Sequence, residues 1–234
     1  MLVKSHEGWM RVLGLWVFRF FNYKISSSVL QRFKMCLRKN LISITTNKIK
    51  EVIKDKEQLR NLKSCYSVIK KSLRDFNNTS LVLYHGPLYE LKGKINALYF
   101  CPSFHIPYRW FCNILYENIN KNFGQLLTGD INLNKKYNEL KTHYNDYLNK
   151  VSIIQVPHHG ARRNWKKCII KDVPNSKLWV ISAGLRNRYG HPSCKVIGDI
   201  CKNRKTPIWI NEMSYITLEG KGNVKIPTIN TFAS

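Results

Sequence analysis

The rhythm of hydrophobic and polar positions changes along the chain. Residues 15–23 form an aromatic run, Leu15-Trp16-Val17-Phe18-Arg19-Phe20-Phe21-Asn22-Tyr23, that suits a strand with one strongly apolar face. Ser26-Ser27-Ser28 then offers a helix start, and Val29 to Leu41 has the spacing of a basic amphipathic helix. A second helix is expected to carry Ile49, Val52, Ile53, Leu59 and Leu62, and a third, short one to cover Tyr66 to Leu73. The stretch 26–74 holds neither Gly nor Pro and reads as a packed helical insert with a solvated, charged face.

After Asp75 short β-branched and apolar runs take over. They predict strands at 80–84, 96–100, 125–128, 151–156, 178–182, 208–210 and 215–218, with helices at 133–149 and 194–202. Strands alternating with helices predict an α/β layered architecture. Four segments follow: a leading strand segment at 1–25, a basic helical insert at 26–74, a main domain at 75–222 and a tail at 223–234.

Composition narrows the class. Hydrophobic residues make up 44% and aromatic residues 12% of the 234 positions, enough for a packed core, so wholesale disorder is excluded. The best apolar stretch, Trp9 to Phe21, is shorter than the roughly 18 residues of a membrane span and carries Arg11 and Arg19. With no signal-peptide pattern either, the chain is expected to be cytoplasmic and to lack a transmembrane segment. Thirty-nine Lys and Arg against 14 Asp and Glu give a net charge of +25. An AT-rich coding sequence would enrich Lys, but it would enrich Asp and Glu too, and these are scarce. A surface so basic points to a polyanionic partner, nucleic acid above all. The seven cysteines include no Cys-x-x-Cys pair, so reduced thiols packed as small hydrophobes are expected.

Three segments end an apolar strand with ligand-capable residues. Leu126-Leu127-Thr128-Gly129-Asp130 projects a carboxylate from a tight turn, a way to present a metal ligand, although Gly-Asp is also an ordinary turn. Ile153-Ile154-Gln155-Val156-Pro157-His158-His159-Gly160 brings two imidazoles, the commonest metal ligands, to a sheet rim. Gly184-Leu185-Arg186-Asn187-Arg188-Tyr189-Gly190-His191-Pro192 delivers one more histidine beside two arginines and an asparagine. His6, His85, His105 and His143 are taken as ordinary surface or core histidines.

In order and spacing these segments resemble the C-terminal half of the metallo-β-lactamase fold. The resemblance is to the branch that includes the hydrolase domain of DNA-uptake (competence) channels. The residues that carry it are Asn78-Thr79-Ser80-Leu81-Val82-Leu83, Thr128-Gly129-Asp130, Pro157-His158-His159-Gly160 and Asn187-Arg188-Tyr189-Gly190-His191-Pro192, with a closing strand at Tyr215-Ile216-Thr217. It covers roughly residues 75–220. The family's His-x-His-x-Asp-His motif is absent, and residues 1–74 contain only His6.

The resemblance implies a partial αββα sandwich, the C-terminal half, preceded by a basic helical segment, with the second sheet largely missing. It implies a hydrolase directed at phosphodiesters, using Zn2+ or Mn2+. Asp130 resembles the metal-bridging carboxylate, and His158 or His159 the late histidine ligand, the other meeting a substrate oxygen or bracing the site. His191, with Asn187, Arg186 and Arg188, resembles the substrate-side wall. A carboxylate and one or two imidazoles are too few for the usual site with four donors, so weak metal binding and little activity by the isolated chain are expected. A truncated reading frame, a split protein with a separate N-terminal half, and a paralogue without its metals each fit. The alternative function is a metal-free, basic nucleic-acid-binding module, or a fragment with no function of its own.

Overall fold

A computed structural model describes residues 3–6, 8–12, 15–22, 25–43, 45, 48–73, 80–88, 91–100, 114–117 and 123–224. The chain is mixed α/β and divides into two compact units, residues 22–80 and the remainder. His105, Asn78 and Thr79 lie outside the described residues.

The smaller unit is helical. Helix α1 (Ser27–Lys39) buries Val29, Phe33 and Leu37, spaced at four residues, which is one face of a helix. Helix α2 (Ile49–Lys54) and helix α3 (Lys56–Leu73) replace the two helices expected there with a different division. The break falls at Asp55, whose backbone is extended and whose carboxylate accepts the amide hydrogens of Glu57 and Gln58 at 2.8 and 3.0 Å. That is an N-cap, and it lets α3 run unbroken through Tyr66. Val29, Phe33, Leu37, Val52, Leu62, Cys65 and Ile69 form the unit's core. Cys36 and Cys65 are joined by a disulfide between α1 and α3, which corrects the expectation of reduced thiols at these positions. Helical packing brings their Cα atoms to 5.5 Å across a separation of 29 residues that sequence alone cannot pair.

The larger unit holds two sheets. In the first, eight strands lie in the order β1-β2-β3-β4-β7-β8-β9-β10. Strands β1 (Val3–His6), β2 (Trp9–Val12), β3 (Trp16–Phe21) and β4 (Val82–Pro87) form an antiparallel meander in space. Antiparallel to β4 runs β7 (Gly124–Leu127), and β8 (Val151–Gln155), β9 (Leu178–Ser182) and β10 (Thr206–Ile210) continue parallel to it. The second sheet joins β5 (Leu91–Phe100), β6 (Ile114–Glu117) and β11 (Tyr215–Val224) in the order β11-β5-β6.

The strand expected at 96–100 does not share the sheet with 80–84, because β3 and β7 already occupy both edges of β4. It pairs instead with β11 along its whole length, from Phe100 opposite Tyr215 to Leu91 opposite Val224. A second sheet is therefore present where it was expected to be largely missing. Its strand β11 also takes in Asn223 and Val224, two residues of the tail expected at 223–234.

Strand alternation separates two cores. Tyr84, Leu126, Ile154, Trp179 and Ile181 face helices α4 (Leu133–His143), α5 (Asn145–Leu148) and α6 (Cys194–Lys202), whose Leu133, Tyr137, Leu140, Leu148, Val196 and Ile200 fill that side. Ile153, Leu178, Val180 and Ile208 face the other way, with Ile216 of β11 packed against them. Each such side chain, once buried, contributes about 1.5–3 kcal/mol, and the period of two fixes which core receives it. At the junction of α4 and α5 the fully buried Tyr144 donates its hydroxyl to the carbonyls of Arg19 and Val82, tying the helix layer to β3 and β4.

Candidate functional site

Parallel neighbours end at the same edge of a sheet. Since β7, β8 and β9 are adjacent and parallel, the segments after Leu127, Gln155 and Ser182 emerge side by side. This is the edge where open α/β sheets bind ligands. It carries all three segments singled out in the sequence.

Thr128 is fully buried and donates its hydroxyl to the Gln155 carbonyl at 2.7 Å, while the Gln155 side-chain oxygen accepts the Gly129 amide at 3.3 Å. Gly129 turns with φ +54°, and its carbonyl accepts the His158 amide at 2.9 Å. The first two segments are thus laced together by backbone, leaving the Asp130 carboxylate at the rim. His158 and His159 both have left-handed backbones, with φ of 47° and 56°. Each costs of order 1–3 kcal/mol for a residue with a Cβ. The two consecutive left-handed residues turn both imidazoles toward Asp130.

The His158 Nδ1 atom is 3.9 Å and the His159 Nε2 atom 3.7 Å from Asp130 Oδ1. His159 Nδ1 lies 2.6 Å from the Ser182 carbonyl, an acceptor, so it carries the hydrogen. In a neutral imidazole Nε2 is then a lone pair facing a carboxylate oxygen. His158 Nδ1 is buried without a hydrogen-bond partner. Two acceptors thus stand opposed beside a ring nitrogen that has no hydrogen-bond partner.

Among the described residues no three His, Cys, Asp or Glu side chains gather as a metal site requires. Both imidazoles approach the same Asp130 oxygen, whereas catalytic zinc sites gather three protein ligands around one point. As arranged, these residues do not fit a resident zinc ion.

His191 arrives from the loop after β9, its ring 5.9 Å from that of His158 and nearly perpendicular to it. Burial, then the neighbouring His158 and His159, push its pKa below the usual imidazole range. Asn187, expected to meet substrate, has its side chain engaged within the loop. Its amide donates to the carbonyls of Gly184 and His191, both at 2.7 Å, and its oxygen accepts the His191 amide at 2.9 Å. It braces His191 rather than reaching outward. Arg186 and Arg188 are exposed. Glu212 accepts the Leu185 amide at 2.9 Å, and that bond, its own backbone amide and the charge of Arg186 hold its carboxyl below the usual range.

Beside the cluster lies an open cavity of about 520 Å³ whose walls include His158, His191, Arg162, Arg163, Asn164 and Tyr189. Arg162 and Arg163 are not among the segments singled out in the sequence, and Tyr189 stands there within the His191 segment without a role of its own. The signal was available in Arg162-Arg163, separated from His158-His159-Gly160 only by Ala161, but only folding brings that pair and Tyr189 to one cavity. His85 lies elsewhere, in β4, stacked on Phe18.

Compared with known proteins, the chain matches no family model, no curated protein and no solved structure. Among the described residues no helix is long and apolar enough to cross a membrane.

Proposed function

We propose that the chain is a protein of the metallo-β-lactamase type, related to phosphodiester hydrolases, that binds nucleic acid at the Asp130–His158–His159–His191 cluster without appreciable hydrolysis as an isolated chain. The observation that carries this reading is the meeting, at one sheet end, of three strand-terminal segments whose order and residue types are those of the resemblance. The helix layer and the two sheets are read as three layers of the αββα sandwich. Nucleic acid as substrate class is supported by the net charge of +25 and by the arginines around the cluster.

Inactivity follows from donor chemistry. A hydrolytic pair of metals needs more ligands than Asp130 and two imidazoles supply. The partner such a site needs is a chain or segment carrying the His-x-His-x-Asp-His ligands. A cytoplasmic home is not part of the proposal, because the Cys36–Cys65 disulfide suits an oxidising compartment better.

Calorimetric titration with Zn2+ and Mn2+, alongside cleavage of a labelled single-stranded oligonucleotide, tests this reading. We expect a zinc Kd weaker than about 1 μM, on the scale where binding is worth less than about 8 kcal/mol. That residual binding should vanish in Asp130→Ala, and no metal-dependent cleavage should appear. Robust turnover by the purified chain would overturn the inactivity. A second reading, a metal-free nucleic-acid-binding module, is favoured by the lack of a three-donor cage among the described residues. It requires that Zn2+ leave nucleic-acid affinity unchanged.

A further inference from the structure

The cavity next to the histidine cluster has chemistry of its own. Its volume of about 520 Å³ falls in the range of roughly 300–1,000 Å³ that holds one small-molecule unit. Arg162 and Arg163 are exposed on a short 3-10 turn directly after Ala161. That turn is fixed from below by the buried Asn164 and Trp165, and the Arg163 carbonyl is held by the Asn134 side chain at 2.8 Å. Two guanidiniums lining one cavity from an anchored turn suit a phosphate, because each offers a planar fork of donors and no carboxylate is among the residues lining the cavity.

The same cavity has an aromatic platform in its wall. Tyr189 is 82% exposed, and its ring stacks on that of His191 with centroids 6.0 Å apart and planes 19° apart. A ring so exposed is little engaged in packing, and an aromatic face in a cavity that arginines also line suits a nucleobase. His158 and His191 line the cavity and also belong to the cluster at Asp130, so a chain lying here passes from base platform to cluster.

We propose that this cavity is a nucleotide subsite for single-stranded nucleic acid, with a backbone phosphate between Arg162 and Arg163 and an unpaired base on Tyr189. A base in a duplex has both faces covered by its neighbours and cannot stack there. The inference deepens the proposed nucleic-acid reading and rests on it for the class of ligand. It does not depend on metal or on hydrolysis.

The test is equilibrium binding by the full chain, in EDTA, to a fluorescein-labelled oligothymidylate, a matched duplex and heparin. Tyr189→Ala should weaken oligothymidylate binding by roughly 5- to 100-fold, the range for loss of one stacked base. It should leave duplex and heparin affinity unchanged, and Tyr189→Phe should restore the loss. Replacing Arg162 and Arg163 together by Ala should weaken all three polyanions and flatten the salt dependence by about one phosphate contact, roughly 0.7 in slope on single strands. These side chains are exposed, so unchanged thermal melting checks that each variant is folded. Equal loss on single strand and duplex, or no loss in Tyr189→Ala, overturns the base subsite while leaving the hydrolase kinship standing. Metal-dependent cleavage with an intact Tyr189 effect would overturn only the inactivity proposed above.

Discussion

Gly160 stands where the loop of His158 and His159 meets the loop of His191. Its φ is +78°, and a Cβ built on it would lie 2.9 Å from the Pro192 Cβ and 3.2 Å from the Pro192 Cα. Its carbonyl accepts the Ser193 amide at 3.1 Å, so the two loops touch through backbone at this residue. Gly160→Ala therefore meets both left-handed strain and a collision, and should destabilise the protein by about 2–4 kcal/mol while shifting the His191 imidazole resonances in NMR spectra. Gly190→Ala is the control. Its φ is +66° but nothing stands within 4 Å of the added carbon, so only the strain of about 1–2 kcal/mol applies. Equal losses in urea denaturation for the two variants would show that the Pro192 contact is unimportant.

At the scale of elements, the pairing of β3 with β4 buries a titratable group. His85 stacks on Phe18 at 5.6 Å and tilts against Trp16 at 6.0 Å, and its Nδ1 is buried without a hydrogen-bond partner. Burial lowers its pKa, as burial and the charge of Arg19 lower that of His143 on α4. Both ring systems resist protonation when folded. Below about pH 6.5 the unfolded chain binds these protons and the folded chain does not, so stability rises with pH across this window. It is fully present above about 6.5 and lost as pH falls through the lowered folded values. His85→Phe keeps the ring stacks and removes one of the groups. Its urea midpoint should fall less between about pH 7.5 and pH 5.5 than that of the parent. Parallel declines in the two proteins would exclude His85 as a source of the dependence.

For the whole molecule the dominant property is charge. At +25, affinity for single-stranded nucleic acid should fall steeply with salt, with a log–log slope of about −3 if some four phosphates are neutralised. A flat response measured by fluorescence anisotropy would leave codon composition as the source of the charge. What the sequence determined by itself was local. Helical spacing at Val29, Phe33 and Leu37, alternation through Ile153 and Ile154, and the strand-end runs at Asp130, His158 and His191 are set by residues a few positions apart. The site was legible because each of its segments follows its own strand, and parallel neighbours must end together. Tertiary structure alone decided who pairs with whom. The move of Leu91–Phe100 into the second sheet, the Cys36–Cys65 bond, the inward use of Asn187 and the meeting of Arg162, Arg163 and Tyr189 at one cavity all depend on partners distant in sequence or on the path of a loop. The reason is physical: a strand edge, a thiol or an amide satisfies itself with whichever group the packed core brings within reach, and composition and periodicity carry no record of that group's place in the chain.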